Sequence, residues 1–302
     1  MHILLLHISG KETERTLTRE ALSEELQVAL RDLRPVFTPK QMITLLPRGE
    51  SIIANLLHVK LIITPLQVYI FQSKSRKIQE EFLPVIRNAV HADAEHSCFH
   101  FRMLDAALTY ALQTMAQLFR PLEEQAEQIL HSLSSAASET DLNQLLLIKK
   151  KLQKISTTIT VAEELLEETL ESPDTLEALT LTPDTTADEP ELTSILENAF
   201  EQIEQLSHEI EDITESIDDT QEILTLQLSA RRNTIIRIDL LISLLSGIFA
   251  FLAVIVGLYG VNLKNHLETS PLAFALLSMG LFMCFVLALL GGVYYLKRKR
   301  IL

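Results

Sequence analysis

Acidic side chains recur at spacings of three and four residues in one stretch of the 302-residue chain. The series consists of Glu201, Glu204, Glu211, Glu215, Asp218 and Glu222, with His208 at the position between Glu204 and Glu211. This spacing places the side chains along one face of an α-helix. Carboxylates gathered on one face attract cations, although many runs of charge only face water. The pattern therefore predicts either a surface that concentrates cations or a solvated face.

The same spacing continues beyond residue 222 with small and polar residues. It runs through Thr225, Ser229, Arg232, Ile236, Asp239, Ser243, Ser246, Ala250, Ala253, Gly257 and Gly260. Asp239 stands at the start of an apolar run, where a carboxylate is costly unless it meets water, a cation or a partner. We interpret this face as an ion pathway, and the alternative is a small-residue seam for helix packing. A straight helix drifts by about 20° per heptad, so both parts share a face only if the helix supercoils.

Two long stretches carry no charged residue, residues 240–263 and 271–296. Each is long enough for a helix to cross the ~30 Å hydrocarbon layer of a membrane, so we predict two transmembrane helices. Basic residues lie before the first stretch and after the second: Arg231, Arg232, Arg237, Lys297, Arg298, Lys299 and Arg300. The positive-inside bias then places both termini on the cytoplasmic or matrix side and the loop 260–270 on the other side.

Two spans cannot enclose a pore, so a conducting form must be an oligomer with several copies of the striped helix around an axis. Each position of the stripe then becomes a ring of side chains. We expect rings of Glu211, Glu215, Asp218 and Glu222 to concentrate cations. Ile236 would form an apolar constriction, and Asp239 would receive the ions that pass it.

Other kinds of function find little support in the sequence. No P-loop, GxSxG or paired cysteine motif is present, so we expect no enzyme chemistry. The net charge of −14 argues against nucleic-acid binding. Cys98 and Cys284 indicate no disulfide framework. The segment 91–100, HADAEHSCFH, is rich in possible zinc ligands, but its spacing matches no closed zinc site, so we interpret it as a polar loop that leads into a helix.

The hydrophobic pattern predicts an α+β soluble region followed by the two spans. A small α/β domain is expected over 1–93, with strands in HILLLHI, PVFT, MITLLP, SIIANLLHVKLIIT and VYIFQ. Long helices are expected over 94–235, with a kink at Pro121, and an acidic link without sustained periodicity is expected over 172–190. The transmembrane domain is expected over 236–302. From Glu191 the sequence predicts one helix of about 70 residues that continues into the first span. Its apolar stripe should pack on the preceding helices and consists of Leu196, Ala199, Ile203, Leu206, Ile210, Ile213, Ile217 and Leu224.

Several of these features together resemble a known family. The YGVN corner after a long helix and first span, followed by a second span and a basic tail, resembles the CorA superfamily of divalent-cation channels, whose signature at this corner is Gly-Met-Asn. The stretches RDLRPVF…ANLLHVKLIIT, FHFRMLDAAL and SIDDTQEILTLQLSARRN are similar to its mitochondrial magnesium-channel branch. The departure is Val261, where the family has Met.

The resemblance implies a funnel-shaped CorA-like fold and a homopentamer in the lipid bilayer, with the first span lining the pore. It implies that Gly260 and Asn262, beside Tyr259 and Val261, form an outer ring that accepts hydrated Mg²⁺. Mg²⁺ gives up its water reluctantly, so neutral oxygens can hold the hydrated ion without trapping it. The resemblance also implies regulatory Mg²⁺ between acidic helices. The candidates for that role are Glu211, Asp212, Glu215, Asp218 and Asp219.

Two alternatives and the compartment stay open from the sequence. Val261 and His266, which lies near the mouth of the predicted pore, would suit a channel for Zn²⁺ or another transition metal. A membrane tether that conducts no ions is the alternative of another class.

The opening residues, MHILLLHISGK, have neither the basic start of a signal peptide nor the Arg-rich pattern of a transit peptide. These residues leave the compartment open, and the expected membrane is either a bacterial inner membrane or the mitochondrial inner membrane.

Overall fold

The computed structural model describes residues 2–38, 43–72, 75–92, 97–135, 139–181, 188–260 and 270–298. The chain divides into two compact units, Met1–Asp219 and Thr220–Leu302. The predicted domain boundaries near residues 93 and 235 stay a prediction.

A six-stranded sheet forms the N-terminal part of the first unit. The strands are β1 (His2–His7), β2 (Glu12–Thr16), β3 (Thr44–Arg48), β4 (Ser51–Leu56), β5 (Val59–Ile63) and β6 (Gln67–Phe71). Their order across the sheet is β2-β1-β6-β5-β4-β3, and each neighbouring pair is antiparallel. The stretch SIIANLLHVKLIIT, predicted as a single strand, is two strands joined at Leu57 and His58, with Leu56 paired to Val59. Its apolar residues are continuous because both strands are buried on both faces.

Both faces of the sheet are covered by helices. On one face, α1 (Arg19–Leu26) and α2 (Arg34–Phe37) close a core around Ile53, Ile62 and Tyr69. The other face packs against the long helix α4 (Phe99–Ser135). A π-helical turn (Ile78–Phe82) leads into α3 (Leu83–His91), which precedes α4.

The predicted strand in PVFT is wrong, because these residues form α2. A helix leaves its last carbonyl groups without partners inside the helix. The sheet supplies those partners: Asn55 Nδ2 donates to the carbonyl of Pro35 at 3.0 Å, and Lys60 Nζ donates to that of Thr38. Asn55 and Lys60 face each other across β4 and β5, so they reach this helical turn from one patch of the sheet.

Two elements were not predicted. β2, with the sequence ETERT, is exposed along its whole length, so it lacks the alternating apolar residues by which a strand is recognised. It lies at the edge of the sheet, and Arg87 of α3 binds its Glu12 through both carboxylate oxygens, at 2.5 and 2.9 Å. A short helix, α6 (Pro173–Leu179), lies inside the predicted acidic link and buries Leu176 and Leu179.

Three long helices complete the first unit: α4, α5 (Glu139–Glu171) and the first part of α7 (Asp188–Gly260). The helix α4 continues through Pro121. The prediction of one continuous helix that reaches the first span is confirmed by α7. Its predicted apolar stripe is buried at every position, Leu196, Ala199, Ile203, Leu206, Ile210, Ile213, Ile217 and Leu224. Ala199 and Ile203 line one small apolar cavity together with Leu112 of α4 and Leu166 of α5, so the part of the stripe in the first unit packs on the preceding helices as predicted.

The second unit contains the rest of α7 and α8 (Pro271–Arg298). Both helices are long and apolar enough to cross a membrane. Leu244 contacts Gly292, and the ring of Phe249 lies 5.1 Å from that of Phe285. Residue numbers therefore rise along α7 as they fall along α8, and the two helices pack antiparallel.

Candidate functional site

The predicted acidic surface lies on the outer side of α7 in the first unit. Its members Glu211, Asp212, Glu215, Asp218 and Asp219 are all exposed. Ile210, Ile213 and Ile217, which alternate with them along the helix, are buried. Burial of that apolar stripe thus fixes which side of α7 faces outward, and the carboxylates are presented together because they share the opposite side.

Two basic side chains from neighbouring helices contact acidic residues of α7. Lys149 of α5 forms an ion pair with Asp218. Arg120 of α4 pairs with Glu209 at 3.2 Å and with Glu123 of its own helix at 3.0 Å. Hydrogen bonding to Glu123 and the charge of Glu209 raise the pKa of Arg120 above its ordinary value. The pair of Lys149 with Asp218 joins α7 to α5, and the pair of Arg120 with Glu209 joins α7 to α4; pairs this exposed are weak.

A single chain does not assemble a closed metal site from these carboxylates. In the part of the chain that the structure describes, no group of three or more His, Cys, Asp or Glu side chains is arranged to hold a metal ion. Mg²⁺ prefers six oxygen ligands and commonly retains several waters. The exposed carboxylates can therefore attract a hydrated cation, and firm binding would need oxygens from a second chain.

In the second unit, the predicted pore-lining residues lie on the side of α7 away from α8. Arg232, Ile236, Asp239, Ser243, Ser246, Ala250, Ala253 and Gly257 are all exposed. The half-buried positions of this part of α7 are Arg237, Leu240, Leu241, Leu244, Ile248, Leu252 and Ile255. Ser246, Ala250 and Ala253 each lie two residues along α7 from one of these half-buried positions. Two residues correspond to a rotation of about 200° around the helix axis, so these three side chains lie on the opposite side of the helix. Packing on α8 therefore leaves the small and polar stripe uncovered within this chain.

The corner motif lies mostly beyond the described residues. Tyr259 and Gly260 are the last residues of α7, and Val261 and Asn262 lie outside the described ranges. The predicted ring at Gly260 and Asn262 therefore stays a prediction.

The segment 91–100 is described only in part, since 93–96 lie outside the described residues. His91 ends α3, and His100 is buried near the start of α4, with its ring centroid 4.2 Å from that of Phe101. Arg102 donates from Nη1 to the carbonyls of Ala89 (3.1 Å), Val90 (2.7 Å) and Ala92 (2.7 Å). The described part of this segment thus ends one helix and begins the next, with Arg102 binding the terminal carbonyls of α3.

Sequence reasoning missed the two basic residues that contact α7, Lys149 and Arg120. A signal for Lys149 exists in the run IKKKLQK, because four lysines on one helix are unusual in a chain of net charge −14.

The packing seam between α7 and α8 was also missed. Its signal is the pair Gly291 and Gly292 in an otherwise bulky span, since small residues let membrane helices approach closely.

Comparison with known proteins places the chain in a family. The family model described as "Magnesium transporter MRS2-like" matches residues 6–232. The mitochondrial inner membrane magnesium transporter MRS2 of Candida albicans is 27% identical over 258 residues, which are 82% of this chain and 55% of that protein. The protein of the same description from Schizosaccharomyces pombe is 26% identical over 286 residues, 90% of this chain and 67% of its own length. The chain spans between 47% and 67% of the length of such fungal relatives.

Solved structures share the fold at low sequence identity. The CorA magnesium transporter from Methanocaldococcus jannaschii matches with a TM-score of 0.64 and 16% identity, over 99% of this chain and 98% of its own. Full-length CmaX matches with a TM-score of 0.54 and 13% identity, over 95% of this chain and 97% of its own. The α+β region, the long helices and the two apolar helices thus form a CorA-like fold. With the match over residues 6–232, the chain belongs to the MRS2-like magnesium transporter family.

Proposed function

We propose that this chain is the subunit of a homopentameric channel that carries Mg²⁺ across a membrane, driven by the membrane potential. The observation that carries the proposal is the exposed stripe of small and polar residues on α7, which lies opposite α8 and contains Asp239. Several copies of α7 facing an axis would line a pore with that stripe and leave α8 toward the lipid. The names of the relatives, which are magnesium transporters, support the choice of ion.

The proposed pore assigns a role to each kind of residue. Asn262 and the carbonyl of Gly260 would hold hydrated Mg²⁺ at the outer mouth through its waters. Ser243, Ser246 and the small residues beyond them would leave room for water, and Asp239 would attract the ion. Ile236 would be the apolar constriction, with Arg232 beyond it. Each elementary charge gains about 2.3 kcal/mol per ~100 mV of potential, and a divalent ion gains about twice that.

Replacement of Asn262 by Ala tests the pore assignment. We expect Asn262→Ala to abolish Mg²⁺ uptake in a transport-deficient cell while the oligomer remains intact on a native gel. Asn265→Ala, which removes the same amide from the same loop, is the matched control and should retain uptake. Unchanged uptake in Asn262→Ala would refute the assignment.

The first alternative is a channel for Zn²⁺ or another transition metal, suggested by Val261 and His266 in the sequence. Cobalt hexammine mimics a fully hydrated ion and cannot be stripped of its ligands easily. A site for hydrated Mg²⁺ should bind it, so cobalt hexammine should block uptake. A site that binds bare Zn²⁺ through imidazole should ignore it.

The second alternative is a tether that conducts no ions. Purified protein in liposomes loaded with a Mg²⁺-sensitive dye distinguishes the two functions, because the tether gives no flux when a potential is applied.

A regulatory role for Mg²⁺ is a further part of the proposal. Divalent ions bridging carboxylates of neighbouring subunits at 211–219 would relieve their mutual repulsion and favour a closed assembly.

The proposed location is a membrane with both termini on the cytoplasmic or matrix side. Support for the membrane comes from α7 and α8, which are apolar enough to cross it, and from relatives named as mitochondrial inner membrane proteins. The basic residues next to the spans support the orientation.

A further inference from the structure

Lysines lie on the outer side of α5 and have no role in the proposed pore. Lys150, Lys151 and Lys154 are exposed. Among the ion pairs of the described residues, none involves these three side chains. Lys150 and Lys154 each lie two residues from Leu152, which is buried. Because two residues correspond to about 200° around the helix axis, these two lysines lie on the side of α5 away from the core of the first unit.

The same side of α5 carries an exposed apolar residue. Leu147 is 59% exposed and precedes Lys150 by about one helical turn. A second surface that covered the lysines would also remove this leucine from water, which is favourable. The second half of α5 is acidic instead, with the exposed residues Glu164, Glu167, Glu168 and Glu171. The basic surface is therefore confined to the first half of α5, and we call Leu147, Lys150 and Lys154 the lysine face.

Two contacts set the register of α5 against α7 within the first unit. Lys149, near the start of α5, forms an ion pair with Asp218. Further along α5, Leu166 lines the same small cavity as Ile203. Residue numbers therefore rise along α5 as they fall along α7, so the two helices are antiparallel. The lysine face follows Lys149 directly and lies at the level of the acidic surface 211–219 of α7.

A ring of identical subunits needs two different surfaces on each copy, because every copy contacts its two neighbours through a heterologous interface. The lysine face and the acidic surface are two such surfaces, and their charges are opposite. In the proposed channel the ring axis runs along α7. Rotation about an axis does not change the height of a residue along it, so the lysine face of one copy lies at the height of the acidic surface of the next.

We propose that the lysine face binds the acidic surface of a neighbouring copy of this chain, with Lys150 and Lys154 paired to the carboxylates of Glu211, Glu215 and Asp219 of that copy. The inference rests on the proposed function only for the direction of the ring axis. Its readout is contact between chains and not the flow of ions. A channel whose lysine face contacts no other chain is therefore distinguishable from an assembly that pairs these surfaces and conducts no Mg²⁺.

The test joins amines to carboxylates that are in contact. The full chain is purified in detergent with a chelator, so that divalent ions do not occupy the carboxylates, and is then treated with a carbodiimide. We expect cross-linked chains on a denaturing gel, with Lys150 or Lys154 joined to the peptide that contains 211–219. Lys150→Glu, Lys154→Glu should lose most of these cross-links, because like charges then face each other. Glu211→Lys, Glu215→Lys should lose them for the same reason.

Combining the two reversals in one chain should restore the cross-links, because every interface of the ring again joins opposite charges. Lys11→Glu, Arg31→Glu is the matched control, since it makes the same change in charge at exposed positions outside both surfaces, and it should cross-link as the wild type does. The proposal is overturned if the wild type gives no cross-link between these segments, if the control loses as much as the lysine variant, or if the combined variant is not rescued. Rescue with the predicted cross-link would support it.

A membrane is the other surface that lysines beside a leucine could contact. Vesicles of phosphatidylcholine, with and without phosphatidylglycerol, separate the two partners. If Lys150→Glu, Lys154→Glu loses binding to phosphatidylglycerol vesicles and keeps the cross-links of the wild type, the lysine face belongs to the membrane and the proposal is overturned. We expect the reverse, with vesicle binding unchanged and the cross-links lost.

Discussion

Lys60 is a buried ammonium group that holds the end of α2. It is 5% exposed, and its Nζ donates to the carbonyl of Thr38. Burial lowers the pKa of Lys60 below its ordinary value of 10.5, because the charged form loses hydration. The unfolded chain therefore keeps this proton to a higher pH than the folded chain does. Stability should rise with pH between the lowered pKa and 10.5, where the unfolded state binds more protons.

Replacing Lys60 by Met should remove this rise. Lys60→Met keeps an unbranched side chain of similar length and has no proton to release. The contribution of a single proton to the slope cannot exceed about 1.4 kcal/mol per pH unit. Thermal unfolding of the full chain in detergent over a pH series measures the slope, with the exposed Lys11→Met as control. Equal slopes in Lys60→Met and the wild type would contradict the interpretation.

At the scale of elements, the packing of α7 on α8 depends on Gly292. A Cβ atom at this position would lie 2.6 Å from Cδ2 of Leu244, whereas a Cβ at Gly291 meets no atom within 4 Å. We expect Gly292→Leu to destabilise the helix pair by about 1–3 kcal/mol, because its side chain would overfill the seam. Gly291→Leu is the matched control and should be nearly neutral. Thermal unfolding in detergent measures both.

A second substitution distinguishes a local clash from a general effect of leucine. Adding Leu244→Ala to Gly292→Leu removes the side chain that the new leucine meets, so it should restore part of the lost stability. If Gly291→Leu and Gly292→Leu are equally destabilising, or if Leu244→Ala gives no rescue, the close approach at Gly292 does not limit packing.

At the scale of the whole molecule, the acidic surface of α7 should make the oligomer respond to Mg²⁺. Reversing charge in the double variant Asp218→Lys, Asp219→Lys removes two proposed Mg²⁺ ligands and the ion pair with Lys149. We expect the Mg²⁺ concentration for half-maximal thermal stabilisation to rise by about tenfold or more, because carboxylate ligands are lost. The dependence of current on internal Mg²⁺ should weaken in parallel.

Glu201→Lys, Glu204→Lys is the matched control, since it makes the same change in charge on the exposed side of α7 outside the proposed regulatory residues. It should respond to Mg²⁺ nearly as the wild type does. A wild type whose gating and stability both ignore Mg²⁺ would contradict the regulatory part of the proposal and leave the pore assignment standing.

The sequence by itself determined the features that depend on local periodicity. The absence of Pro and Gly from residue 191 to residue 246 predicted the unbroken helix α7, and its apolar stripe predicted the buried side. Both follow from 3.6-residue periodicity, which needs no knowledge of the partner helices. The two uncharged stretches likewise predicted helices long enough to span a membrane.

Tertiary structure decided the features that depend on distant residues. PVFT has the composition of a strand, but it forms α2, where carbonyls near its end bind Asn55 and Lys60 from strands that come later in the chain. ETERT has no apolar pattern, and it forms β2 because β1 offers it an edge and Arg87 binds it. The sequence showed that α7 has a small-residue stripe, but only its contacts with α8 decided that this stripe stays uncovered within the chain. The pairing of β2 with β1 is local in sequence, whereas Pro35 and Asn55, Glu12 and Arg87, and Leu244 and Gly292 are far apart. No local pattern contains the information in those distant contacts.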